Sequence, residues 1–111
     1  MMIIETRRLL GAFFGFGGDP ARVTFSQNAT DSMNAALSGI LNPGDHMIIT
    51  RMEHNCVLRP ANHFERDRDI SVTRIGADSA GFIDPEEIHR SIQPNTRVVV
   101  VNHASNVMGS L

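Results

Sequence analysis

Four consecutive valines, Val98 to Val101, constrain what this chain can fold into more than any other feature. An unbroken β-branched run, with no polar alternation, is the pattern of a strand buried on both faces. Such strands belong to parallel sheets covered by helices. The remaining sequence agrees, because helical and extended patterns alternate along it. That alternation predicts an α/β three-layer sandwich with a mainly parallel sheet.

The elements follow from periodicity and from breakers. Residues 5–14 read as a helix with Leu9, Phe13 and Phe16 on its apolar face, stopped by Gly15, Gly17, Gly18 and Pro20. Residues 22–25 form a short strand candidate. Residues 30–40 form a helix whose Met33, Leu37 and Ile40 make one buried stripe. Asn42-Pro43-Gly44-Asp45 is a turn by its own chemistry. A strand is expected over residues 46–50, a helix over 54–66 and a strand over 70–75, with Pro60 marking the helix's first turn or a kink. At Asp84-Pro85-Glu86-Glu87, Asp84 caps a helix, Pro85 takes its first position, Glu87 closes a capping box and Ile83 staples to Ile88. That helix runs to about Ile92, and the valine strand spans residues 97–102.

Composition narrows the function. With 111 residues the chain is one unit, and a net charge of -2 leaves no basic footprint for nucleic acid or anionic lipid. No apolar run approaches the roughly 20 residues that span a bilayer, so neither a nucleic-acid nor a membrane partner is expected. The single Cys56 excludes an internal disulfide. Glu5, Arg7 and Arg8 follow the opening Met1-Met2-Ile3-Ile4 too closely for a signal segment, which makes the cytoplasm the expected location. All ten basic residues are arginine, and lysine is absent from the chain.

In open parallel sheets, ligands bind beyond the carboxyl ends of the strands. Three polar segments are expected there: residues 26–30, 51–55 and 102–106. The first leads into a helix, so its backbone N–H groups and the Thr30 hydroxyl suit an anion, while Asn28 or Thr30 equally suits a helix cap. His54 follows a strand end. Its imidazole is compatible with stacking on a flat ligand, with proton transfer, or with a plain packing role. Its spacing from Cys56 repeats no zinc pattern. Polar groups emerging from the buried valine strand, Asn106 among them, need partners from backbone, water or ligand. The glycine-rich residues 11–18 read as a flexible connector, and the methionines as core filler.

Four segments in register carry a resemblance. They are Val23-Thr24-Phe25-Ser26-Gln27-Asn28-Ala29-Thr30; Pro43 to Pro60, with Met52-Glu53-His54-Asn55-Cys56; Gly81 to Ile88; and His103-Ala104-Ser105-Asn106-Val107-Met108-Gly109. Together they resemble the cysteine desulfurase and selenocysteine lyase branch of the class V, fold-type-I enzymes that use pyridoxal 5′-phosphate (PLP). The likeness implies that residues 1–111 are a single partial segment of the PLP-binding large domain. It also implies that Ala29 and Thr30 hold the cofactor phosphate, that His54 stacks on the pyridine ring, and that Asn106 bonds the ring's phenolic oxygen.

The resemblance further implies that the parent enzyme removes sulfur from L-cysteine to leave L-alanine and an enzyme persulfide, or performs a related class V reaction. The family's Schiff-base lysine and nucleophilic cysteine match no position here, and Cys56 is not a catalytic match. The segment alone is therefore expected to be inactive. The partners expected are an amino-acid substrate and further copies of the chain, as a homodimer or higher oligomer, since a partial sheet leaves an unpaired edge. A different reading also fits the missing lysine: a non-catalytic α/β module that binds a phosphorylated small molecule or a protein.

Overall fold

The structure is a computed structural model, and it describes residues 2–106 and residue 109. Its elements are the helix α1 (Met2–Phe13), a 3-10 turn (Pro20–Arg22), α2 (Ala29–Ile40), β1 (His46–Thr50), α3 (Asn55–Asp67), β2 (Ser71–Ile75), α4 (Pro85–Arg90) and β3 (Thr96–Val100). The three strands form one parallel sheet in the order β2-β1-β3. The chain thus leaves β1 to one side through α3 and returns across it through α4. Parallel strands joined through helices in this way give the expected α/β layering.

Strand alternation divides β1 between those layers. Met47 and Ile49 join Leu37 and Leu41 of the α2 segment, Val57, Ala61 and Phe64 of α3, and Ile70 in the main core. Ile48, equally buried, points to the other face. At the amino end of the sheet His46 is fully buried. Its Nδ1 lies 2.7 Å from Thr96 Oγ1 and its Nε2 2.9 Å from Thr73 Oγ1, so one imidazole joins all three strands. Burial pushes its pKa below the ordinary histidine value.

Several expectations need correction. Residues 22–25 are not a strand. Asp19 caps the Pro20–Arg22 turn and Val23 then takes extended angles (φ -120, ψ 121), but an extended segment becomes a strand only when it gains a ladder, and no sheet pairing includes it. The first helix begins at Met2 rather than Glu5, and its supposed apolar face is open: Leu9 is 64% and Phe13 81% exposed. This helix packs on the 3-10 turn, where Gly11 comes so near Gly18 that an added Cβ would sit 3.4 Å from its Cα.

The valine run is buried on one face only. Val98 and Val100, partly buried, pack on the core, whereas Val99 is 41% and Val101 50% exposed, because no layer among the described residues covers that face of β3. Of the α2 stripe, Leu37 is buried and Met33 partly so, but Ile40 is exposed. Pro60 falls in the second turn of α3, buried, and not in the first. Asp84 caps α4 as expected, but through the N–H of Glu86 at 2.9 Å, and that helix stops at Arg90.

Candidate cofactor site at the carboxyl rim of the sheet

The connection from β1 goes to β2 on one side, and the chain then returns to β3 on the other side. The crevice between the carboxyl ends of β1 and β3 is therefore the topological switch point, where open α/β sheets take ligands. Two of the three expected segments, residues 51–55 and 102–106, meet there. The third, residues 26–30, follows no sheet strand and reaches the rim because α2 packs against α3.

At the start of α2, Asn28 takes the cap: its Oδ1 accepts the N–H of Asp31 at 2.9 Å, and its carbonyl accepts Ser32 N–H at 3.1 Å. The capping alternative for Asn28 is therefore realised. It leaves the N–H groups of Ala29 and Thr30 as the remaining donors of the first turn. Ser26 Oγ donates to the Asn28 carbonyl at 2.9 Å and also contacts Ser32 Oγ, which ties down the loop before the helix.

His54 caps α3. Its Nδ1 accepts the Cys56 N–H at 3.1 Å, so in this arrangement the ring proton sits on Nε2. The cap fixes the imidazole at the rim, where it lines two adjoining hollows. One, of about 510 Å³, lies between α2 and α3 and is lined by Thr30, Asn34, His54, Cys56, Arg59 and His63 among others. The second, of about 290 Å³, lies at the switch point and is lined by Arg51, Met52, Glu53, His54, Asn55, Ser105 and Asn106. Thr30 and Asn106 thus each share a hollow with the same imidazole, and neither hollow holds all three residues. Ala29 lines neither hollow and stands exposed at the first position of α2. Of the segment from His103 to Gly109, Val107 and Met108 lie outside the described residues.

Sequence reasoning missed Glu53. Only 8% exposed, its Oε1 accepts the Thr50 hydroxyl at 2.7 Å and the Asn102 N–H at 2.8 Å. Thr50 Oγ1 in turn accepts the Met52 N–H at 3.2 Å. One carboxylate thereby holds the β1 loop to the β3 loop and sets His54 beside Asn106. A glutamate directly before the candidate histidine, just past the end of a strand, was the available signal.

Charge at the rim is uneven. Seven of the ten arginines meet a carboxylate or an aromatic ring: Arg8, Arg22, Arg66, Arg74 and Arg90 in ion pairs, Arg7 and Arg68 over phenylalanine rings. Arg51, Arg59 and Arg97 have no such partner among the described residues. Two of these three line the hollows beside His54.

Comparison with known proteins bears on this arrangement. Residues 2–111 match the class-V aminotransferases. A cysteine desulfurase of Dictyoglomus turgidum is 28% identical over 98% of this chain and 28% of its own length. The human cysteine desulfurase is 34% identical over 84% of this chain and 21% of its own. Among solved structures, an apo cysteine desulfurase from Thermococcus onnurineus superposes with a TM-score of 0.82 at 25% identity, over 96% of this chain and 27% of that one. The chain spans about a quarter of the length of these relatives. No helix among the described residues is long and apolar enough to cross a membrane. A match along nearly the whole sequence, on a parallel sheet with its polar loops gathered at the switch point, has one reading: the chain belongs to the class-V aminotransferase family.

Proposed function

We propose that this chain is the cofactor-gripping segment of a PLP-dependent cysteine desulfurase. The observation that carries the reading is that His54 lines both rim hollows, with Thr30 in one and Asn106 in the other. The donor set suits a flat phosphorylated ring. The Ala29 and Thr30 N–H groups and the Thr30 hydroxyl would hold a phosphate, the His54 imidazole would stack on the ring, and the Asn106 carboxamide would bond its phenolic oxygen. When bound, PLP supplies an electron sink for bond cleavage at the amino-acid substrate.

This chain's own part is to bind and orient. Asn28 keeps α2 open at its first turn by occupying Asp31 N–H. His54 cannot turn freely without giving up its cap on α3. Glu53 sets the separation of the two loops. The reaction proposed for the whole protein transfers sulfur from L-cysteine to an enzyme thiol: the substrate C–S bond breaks, a C–H bond replaces it to give L-alanine, and an enzyme persulfide forms. Supporting it are relatives named cysteine desulfurases. Assembly as a dimer or higher oligomer is proposed with it, since β3 presents an edge with no partner strand among the described residues.

Titrating PLP into isotope-labelled chain tests the reading. Amide signals of Thr30, His54 and Asn106 should move together and saturate at one concentration, and pyridoxal without the phosphate should leave Thr30 nearly still. Movement at unrelated surface residues with these three silent would refute it.

A further inference from the structure

We propose that Glu53 presents its second carboxylate oxygen to the switch-point hollow, where it accepts hydrogen bonds from the protonated amine of an amino-acid ligand. The proposal deepens the cofactor reading above and rests on it, since that reading brings an amino acid to the ring that His54 and Asn106 would hold.

Glu53 is 8% exposed, so its carboxylate lies almost wholly out of water. An ionised carboxylate offers about four acceptor positions on its two oxygens, and burying that charge is costly unless they are met. Here only one oxygen meets any. Oε1 accepts the Thr50 hydroxyl at 2.7 Å and the Asn102 N–H at 2.8 Å, whereas Oε2 has no partner among the described residues. Nor is Oε2 sealed in, because the only enclosed side-chain nitrogen or oxygen without a partner among those residues is Arg7 Nε. The opening left to it is the hollow of about 290 Å³ that Glu53 lines with His54, Ser105 and Asn106.

The two bonds at Oε1 also fix the carboxylate, which cannot rotate without giving both up, so Oε2 is an acceptor set in place before any ligand arrives. Arg51 lines the same hollow, but it is exposed and forms no ion pair with Glu53. Water and salt screen its charge, while the buried carboxylate is screened far less. A primary ammonium brings positive charge and N–H donors together, the pairing that binds a carboxylate most strongly. A neutral hydroxyl lacks the charge, and a quaternary ammonium lacks the donors.

The test uses the labelled 111-residue chain and follows the Glu53 carboxyl carbon and the Asn106 amide. Three probes are titrated: ethylammonium, tetramethylammonium and ethanol. Ethylammonium should shift both signals saturably at one half-saturating concentration, and the other two should leave the Glu53 carbon still. Glu53→Gln keeps an acceptor for Thr50 and Asn102, and a cooperative thermal melt shows that it is folded. In that variant the half-saturating concentration of ethylammonium, read at Asn106, should rise by about tenfold, the loss of one charge-assisted bond. Tetramethylammonium or ethanol acting as well as ethylammonium on the parent chain overturns the proposal without recourse to a variant. A folded Glu53→Gln chain that binds ethylammonium as tightly as the parent overturns it too. A PLP titration on the same sample separates the two readings. Thr30, His54 and Asn106 responding to PLP while ethylammonium leaves Glu53 still removes this inference alone; silence of those three toward PLP removes both.

Discussion

The carboxylate of Glu53 accepts the backbone N–H of Asn102 at 2.8 Å, joining two loops that lie 49 residues apart in the chain. This bond decides how far His54 stands from Asn106, because each residue sits only a few positions beyond its anchor. It is also a partly buried bond to a carboxylate, the kind whose loss leaves an unsatisfied donor behind.

Glu53→Ala should therefore destabilise the chain by about 2–3 kcal/mol, since it orphans both Asn102 N–H and the Thr50 hydroxyl. Glu53→Gln, which keeps an acceptor oxygen, should cost under about half of that. Urea unfolding of the two variants measures the difference. Equal losses would mean that the side chain acts by filling space and not by accepting these bonds.

At His54, capping and ring chemistry can be separated. His54→Ala removes the acceptor for Cys56 N–H and should cost about 1 kcal/mol. His54→Asn supplies a good cap without a flat ring, so stability should hold while PLP-dependent shifts at Thr30 and Asn106 weaken. Thermal melts read the first effect and the titration reads the second.

His46 makes stability pH-dependent. Burial lowers its folded pKa below the ordinary 6.5, with Thr73, Thr96 and Gln93 as its polar neighbours. Between the folded value and 6.5 the unfolded chain binds more protons, so stability rises with pH through that window and levels off above it. Acidification from pH 7 should thus weaken folding. His46→Gln should remove this contribution to the slope, as seen in unfolding midpoints taken between pH 5 and 8.

Asp67 carries the opposite sign. The Arg66 guanidinium bonds its carboxylate, His63 adds a second contact, and together they hold its pKa at about 2. A depressed carboxyl contributes stability that is complete above its unfolded pKa and is lost as pH falls towards 2. Arg66→Gln should move the Asp67 titration back towards its ordinary value, measurable on the carboxyl carbon signal. No change would show that His63 holds it alone.

Much of the fold was legible in the sequence because its signals are local. The breakers at Pro43-Gly44, the Asp84-Pro85 cap and the apolar runs of β1 and β2 depend on neighbours within a few residues, and every expected element except the strand at residues 22–25 appeared within three residues of its expected bounds. The candidate site residues were likewise legible as polar positions after apolar strands or at a helix start. What local pattern cannot encode is pairing. Val23 has strand angles without a ladder, and the valine run lacks a cover on one face, since both properties belong to partners distant in sequence. Only the tertiary structure made Glu53 the brace between two loops and left Arg51 without a counter-charge. Those outcomes turn on which side chains arrive at one rim, and that is decided by sheet order and crossover handedness, which no short window of sequence contains.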